Sequence, residues 1–202
     1  MQKTTEATRK VTVAPRERIL DAARELFYSR GIRNVSVDEI VAAAQTNKMT
    51  LYRHFESKDQ LVAEYLKSLC ESSNASFEEA MRPHAGDPCG QLRAWVEHVG
   101  ERLAHAEDRG CAMANAAVEL PEKHHPARVV IEGYKARQCE RLVELCRESG
   151  FEEPERLAEE IFLLYEGACV NVQSVGPRGP CCRFPDMVCA LLKSRPRHTA
   201  KH

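Results

Sequence analysis

Residues 36–55 read SVDEIVAAAQTNKMTLYRHF, and two short helices joined by a tight turn account for every position. Val37, Ile40, Val41 and Ala44 recur at i, i+3, i+4 and i+7, one face of a helix. Ser36 is a good N-cap for that helix, and Asp38 and Glu39 fall in its first turn, where the helix dipole favours negative charge. Gln45-Thr46 makes the turn, and Asn47 caps a second helix running to about Phe55. On it Leu51 and Phe55, spaced i, i+4, face a core, which leaves Lys48, Thr50, Tyr52, Arg53 and His54 outward. An apolar back with a basic, hydroxyl-bearing and aromatic front suits a helix that enters the DNA major groove.

The flanks extend the pattern. Upstream, PRERILDAARELFYSRG begins with Pro15, pre-organised for a first helical position, and ends at Gly31, which tolerates the positive φ of a helix end. Ile19, Ala22, Ala23, Leu26 and Phe27 form a buried stripe. Three short helices sharing an apolar side make a helix-turn-helix domain. Downstream, Ser57 caps a longer helix whose second residue, Lys58, is expected to be free to reach a phosphate.

The order of helix, Gly-Ile, VSVDEI, Ala-rich turn, TLYRHF and Ser-Lys resembles the N-terminal domain of TetR/AcrR-type one-component transcriptional regulators. The specific part covers residues 15 to 65, and Thr50-Leu51-Tyr52-Arg53-His54-Phe55 with Ser57-Lys58 is its sharpest element. A weaker resemblance to some members' effector domain runs through residues 109–119, RGCAMANAAVE. One departure is Gln45, where the family usually has Gly. The DNA-contacting set expected is Ser36, Asn47, Lys48, Thr50, Tyr52, Arg53, His54 and Lys58. The resemblance supports Thr50, Tyr52 and Lys58 at matching positions.

Charge is distributed in keeping with this. The 202 residues carry a net charge of only −1. Residues 1–60, however, hold 11 Lys/Arg against 8 Asp/Glu, residues 61–192 hold 14 against 22, and the last ten hold four basic groups and no acidic one. A basic head on an acidic body suits a protein that touches DNA with one end. No apolar run approaches the ~18–20 residues of a membrane span, and residues 1–14 lack the apolar centre of a signal peptide; no membrane association and a cytoplasmic location are expected.

The rest reads as helices with brief punctuation. They end near Arg82, start again around Leu92, and include a short small-residue helix from Cys111 to about Leu120. Long helices follow over about 127–149 and 154–175, and a last one over about 185–193. No useful period-2 pattern occurs, so the chain is expected to be all-α, a three-helix DNA-binding domain followed by a larger helical effector-binding and dimerisation domain. The expected division is a flexible arm over 1–14, the helix-turn-helix domain over 15–60, the ligand-binding and dimerisation domain over 61–193, and a basic disordered tail over 194–202. The resemblance implies a homodimer through two long helices, residues about 127–175, binding a palindromic operator. It also implies a small-molecule effector, so the function expected is a ligand-responsive repressor; activation is the other sense such binding can take.

Phe77, Trp95, Met113, Asn115, Tyr134, Phe162 and Tyr165 are the candidates for an effector pocket, being apolar or amphipathic residues on converging helices. Nine cysteines include no C-x-x-C, and small buried hydrophobes are their default role. Cys181 and Cys182, beside a Gly/Pro segment, are the candidates for an accessible redox or electrophile-sensing thiol on the same scaffold. His124-His125 with Cys111 has no specific ligand spacing, so no metal is expected. There is no Gly-rich phosphate loop, nucleophile elbow or H-E-x-x-H, so neither enzymatic activity nor a cofactor is expected.

Overall fold

Helices begin where proline or a capping side chain allows. The computed structural model describes residues 13–105 and 110–198. Among them are nine α-helices: α1 (Pro15–Arg30), α2 (Val37–Ala43), α3 (Lys48–His54), α4 (Lys58–Met81), α5 (Pro88–Ala104), α6 (Ala112–Glu119), α7 (Pro126–Glu148), α8 (Pro154–Val175) and α9 (Phe184–Ser194). Proline occupies the first or second position of α1, α5, α7, α8 and α9, where its missing N–H is no loss. Side-chain caps open the others that matter for DNA. Asn47 accepts from the Thr50 amide at 2.9 Å and Ser57 from the Gln60 amide at 3.0 Å. Ser36 and Glu39 form a reciprocal capping box at the start of α2, satisfying two otherwise orphaned amides.

Two apolar clusters hold these helices. In the first, Ile19, Ala22, Ala23 and Phe27 of α1 pack on Ile40 and Val41 of α2, Leu51 of α3 and Leu61, Val62, Tyr65 and Leu66 of α4. Fully burying a side chain such as Ile19, Ile40 or Leu51 contributes about 1.5–3 kcal/mol, and all three are at 0 % exposure. The same cluster takes in Met113 and Ala116 of α6, Leu120 beyond it, and Ala127, Ile131 and Tyr134 of α7. The DNA-binding helices therefore share their core with the entry to the larger domain. The second cluster joins the distal half of α4 to α5, α7, α8 and α9. In it Trp95 stacks on Phe77 (centroids 5.7 Å apart, planes at 17°) and meets Tyr165 edge-on at 5.6 Å.

α4 is the shared member. At 24 residues it is about 36 Å long, reaching from the end of the recognition helix to the far side of the second cluster. α7 and α8, separated by a turn at Gly150 (φ +79°), lie against each other.

The C-terminal tail departs from expectation. Residues 195–198 are docked rather than disordered: Arg195 is paired with Glu160, the Arg197 guanidinium stands 4.4 Å over the Phe151 ring, and the His198 amide donates to the Gly150 carbonyl at 2.8 Å. Two guanidinium groups with an acidic and an aromatic partner explain the docking, which a run of basic residues does not announce. The expected N-terminal arm, save residues 13 and 14, and residues 199–202 lie outside the described residues.

Candidate functional site

The turn between α2 and α3 sets the angle of the recognition helix. Gln45 adopts φ +50°, the left-handed conformation that glycine takes most readily. Its amide bonds to the Ala42 carbonyl at 3.1 Å, and that of Thr46 to the Val41 carbonyl at 2.9 Å. The turn thus closes as a glycine-bearing one would, with a side chain in place. Leu51 and Phe55 are buried as expected (0 % and 2 %), which fixes the opposite face of α3 in solvent.

That face carries Tyr52, Arg53 and His54, all exposed, with Thr50 half-buried at its edge. It also carries Met49, 83 % exposed and the most prominent apolar side chain of the helix. Sequence reading passed over Met49; its signal was the i, i+3, i+4 spacing to Tyr52 and Arg53. Ser36 and Asn47 are exposed but hold their cap bonds. Lys48 extends to Asp38 of α2 at 2.8 Å, a solvent-exposed pair that can open toward another anion. Contrary to the expectation from sequence, Lys58 is not free: its ammonium donates to the Ile32 carbonyl at 2.7 Å and lies 5.9 Å from the Phe27 ring centre. Burial lowers its pKa, against the pull of Asp59 and Glu119. In this arrangement Lys58 ties α4 to the loop after α1.

Behind this domain lies a cavity of about 560 Å³, partly open to solvent. α1 supplies Arg24, Glu25 and Tyr28 to its wall; α4 supplies Tyr65, Leu69 and three serines, Ser72, Ser73 and Ser76. Arg102 comes from α5, Met113 from α6, Tyr134 from α7, and Tyr165, Cys169 and Val172 from α8, with Cys111 at the N-cap of α6. The polar wall is organised around Ser73, whose hydroxyl accepts from Tyr134 at 2.8 Å and from Arg102 at 3.1 Å. Ser76 is bonded to the His98 ring at 2.8 Å. Burial, then the neighbouring Arg102, lowers the His98 pKa, so the ring there is neutral near pH 7.

Of the expected pocket residues, Met113, Tyr134 and Tyr165 line this cavity. The others do not. Phe77 and Trp95 are stacked on each other in the second core cluster, and Phe162 packs beside Tyr165. Asn115 faces a narrow crevice against α1 and α4. Aromatic bulk in the sequence marked the core as readily as the cavity, whereas serines and arginines on α4, α1 and α5 read as solvent-facing.

The cysteine expectation also changes. Cys181 is buried (3 %) within a short 3₁₀ turn, its thiol facing the carbonyls of Gly176 and Pro177; Cys182 alone of the pair is exposed. The Gly/Pro segment folds over Cys181 instead of presenting it.

One helix joins cavity and DNA-binding domain. α6 begins at the cavity wall and ends at Glu119, whose carboxylate accepts from the Arg33 amide at 3.1 Å. Just beyond, Glu122 pairs with the Arg33 guanidinium at 2.8 Å, and His125 stands 3.4 Å from Asp59 at the start of α4. Gly31 (φ +85°) makes room for this contact: a Cβ there would stand 3.0 Å from Glu119 Oε2.

Comparison with known proteins agrees with this architecture. The family model described as "Bacterial regulatory proteins, tetR family" matches residues 19–65, the α1–α4 segment. The crystal structure of SCO4454, a TetR-family transcriptional regulator from Streptomyces coelicolor, superposes with a TM-score of 0.82 at 29 % identity, covering 89 % of this chain and 94 % of that one. The chain belongs to the TetR family. Its similarity to other TetR-family proteins extends over both domains. The HTH-type transcriptional repressor DhaR of Mycobacterium sp. is 27 % identical over 195 residues, 89 % of this chain and 93 % of that protein. The transcriptional regulator AcuR of Cereibacter sphaeroides is 28 % identical over 167 residues, covering 77 % and 74 %. As a TetR-family member this chain is a DNA-binding transcriptional regulator, and no helix among its described residues is long and apolar enough to cross a membrane.

Proposed function

We propose that this regulator is a homodimeric repressor that binds a palindromic operator in the cytoplasm and is released when a small amphipathic molecule enters the cavity. The observation that carries the reading is the path from cavity to DNA-binding domain: α6 lines the cavity at one end and holds the Arg33 amide at the other. α4 offers a second path, since Tyr65, Leu69 and its serines line the cavity while its first residue, Lys58, follows α3 by a short turn. A ligand that separates these helices tilts the recognition helices. A coupling of about 1–3 kcal/mol changes operator affinity some 5- to 150-fold.

Dimerisation is supported by unpartnered apolar side chains on one side of the larger domain. Leu163 (70 % exposed) and Val170 (55 %) lie at i and i+7 on α8, with Gly167 between them; Met187 of α9 (49 %) continues the patch. A shallow groove runs between them, lined by Leu163, Leu164, Met187 and Leu191. The interface we propose centres on α8 and continues onto α9, while α7, which the expected span of about 127–175 also includes, is largely engaged with α4, α5 and α8. Two-fold symmetry then sets the recognition helices ~34–36 Å apart or a multiple of that.

On the DNA side, Met49, Tyr52 and Arg53 are the proposed base-reading group, with Met49 suited to a thymine methyl. Thr50, His54, Lys48 and the cap residues Ser36 and Asn47 are the proposed backbone contacts. Lys58 joins them if its bond to Ile32 is exchanged for a phosphate. Measuring the solution mass across a concentration series, with and without a selected operator duplex, tests the assembly. A mass of one chain at every concentration would overturn the dimer, and a non-palindromic selected site would overturn the two-fold docking.

A further inference from the structure

The cavity contains a pair of thiols that non-covalent ligand binding does not use. Cys111 caps α6 with its backbone but makes no side-chain cap bond. Its sulfur is instead hydrogen-bonded to the Cys169 side chain on α8, and both residues line the cavity. Gly110 permits this meeting: at φ +61° it lies so near α8 that a Cβ would stand 3.0 Å from the Cys169 carbonyl oxygen. The amides of Met113 and Ala114, in the first turn of α6, lie near the Cys111 sulfur and favour its thiolate. The charge of Lys135 on α7 acts on it too, and that ammonium is held in place by Glu166, 5.5 Å from the Tyr165 ring centre.

These neighbours select which thiol ionises. The Cys169 hydrogen bond is the largest influence lowering the Cys111 pKa; burial opposes it, and Lys135 and the two amides add to it. The proton stays on Cys169, whose pKa is raised by the same contact. Elsewhere burial does the opposite: it is the largest influence raising Cys70 to about 11, and alone it pushes Cys146 up to about 12. A helix N-terminus and a nearby ammonium are the settings that make a cysteine nucleophilic.

We propose that Cys111 is a covalent capture site for small Michael acceptors, α,β-unsaturated carbonyl compounds, that enter the cavity. The Cys111 sulfur forms a bond to the β-carbon, and the alkene π pair moves through the α-carbon onto the carbonyl oxygen as an enolate. Arg102, on the same cavity wall and with N–H groups beyond the one given to Ser73, is the donor available to that oxygen. Cys169 Sγ–H delivers the proton to the α-carbon and regains one from solvent. No oxidant is consumed and nothing leaves. That such an adduct acts as the effector rests on the cavity-to-DNA reading above; the addition itself does not.

The test is competitive labelling of the full, reduced chain with one equivalent of methyl vinyl ketone, followed by peptide mapping by mass spectrometry. Cys111 is expected to react at least about tenfold faster than Cys182 and Cys189, though both are exposed. Butanone, the saturated counterpart, is expected to leave no adduct, and Lys135→Met to slow Cys111 selectively while the exposed thiols react as before. Labelling of Cys182 or Cys189 ahead of Cys111 overturns the proposal. Since the wild-type map decides the matter, it does not depend on whether Cys111→Ser folds. Operator binding by the adduct is a separate readout: an adduct that leaves DNA affinity unchanged keeps the capture site and removes its regulatory role. Operator release by non-covalent ligands, with Cys111 unlabelled by the ketone, does the reverse.

Discussion

Removing the Glu119 carboxylate tests whether α6 straps the DNA-binding domain to the rest of the molecule. Glu119 is half-buried, accepts from the Arg33 amide at 3.1 Å, and its charge acts on Lys58. A hydrogen bond to a charged acceptor contributes about 1.5–3 kcal/mol. Partial exposure screens this one, so Glu119→Ala is expected to cost about 1–2 kcal/mol. For a chain of this size each kcal/mol shifts Tm by about 2–4 °C, which places the expected fall at about 2–8 °C. Glu119→Gln keeps an acceptor and loses the charge, so its fall is expected to be about half as large. Arg33→Ala removes only the exposed pair with Glu122, in which both side chains are more than half accessible, and is expected to change stability by less than about 1 kcal/mol. Thermal melting gives the totals, and hydrogen exchange locates them: Glu119→Ala should speed exchange of the Arg33 amide while α3 amides keep their protection. An unchanged Arg33 amide in a variant that melts like wild type would refute the strap.

Three further outcomes follow from named contacts. Gln45→Gly relieves a left-handed side-chain-bearing residue, at some cost in unfolded-chain entropy, so a gain of about 0.5–1 kcal/mol is expected in denaturant titration; a loss would mean that the Gln45 side chain supports the turn. The Ser36 amide, then the Ser36 hydroxyl and Arg30, hold the Glu39 pKa down at about 2 from an ordinary 4.5. A depressed carboxylate contributes stability that is present above about 4.5 and lost as pH falls toward 2, so Glu39→Gln should flatten the acid limb of Tm against pH and lower the plateau near pH 7. Leu163→Glu places a charge in the centre of the proposed α8 interface and is expected to give a one-chain mass by light scattering without loss of helical signal; an intact dimer would move the interface elsewhere.

How much could be read beforehand depended on the range of the interactions. The α2–α3 pair was legible because caps and i, i+4 spacing are local: Ser36, Asn47, Leu51 and Phe55 each do what their spacing predicts. Helix ends were legible for the same reason, since Pro154 and Val175 bound α8 as expected. The cavity was only partly legible. Its serines and arginines come from α1, α4 and α5 and meet only in the tertiary fold, and periodicity does not distinguish a polar residue facing a cavity from one facing solvent. The Cys111–Cys169 pair joins residues far apart in sequence through a close approach at Gly110. Lys58 was misread as free because nothing near it in sequence shows that the Ile32 carbonyl lies within reach.

The central claim is that α3 from two copies reads a two-fold-symmetric DNA site. Selecting duplexes from a random pool with reduced protein stripped of bound small molecules, then titrating the best one at several salt concentrations, addresses it most directly. The account predicts a palindromic winner bound by two chains, with affinity falling steeply as salt rises because several phosphates are contacted, and a marked loss for Tyr52→Ala. Failure to enrich any sequence, or binding that is indifferent to salt and to Tyr52→Ala, would contradict it.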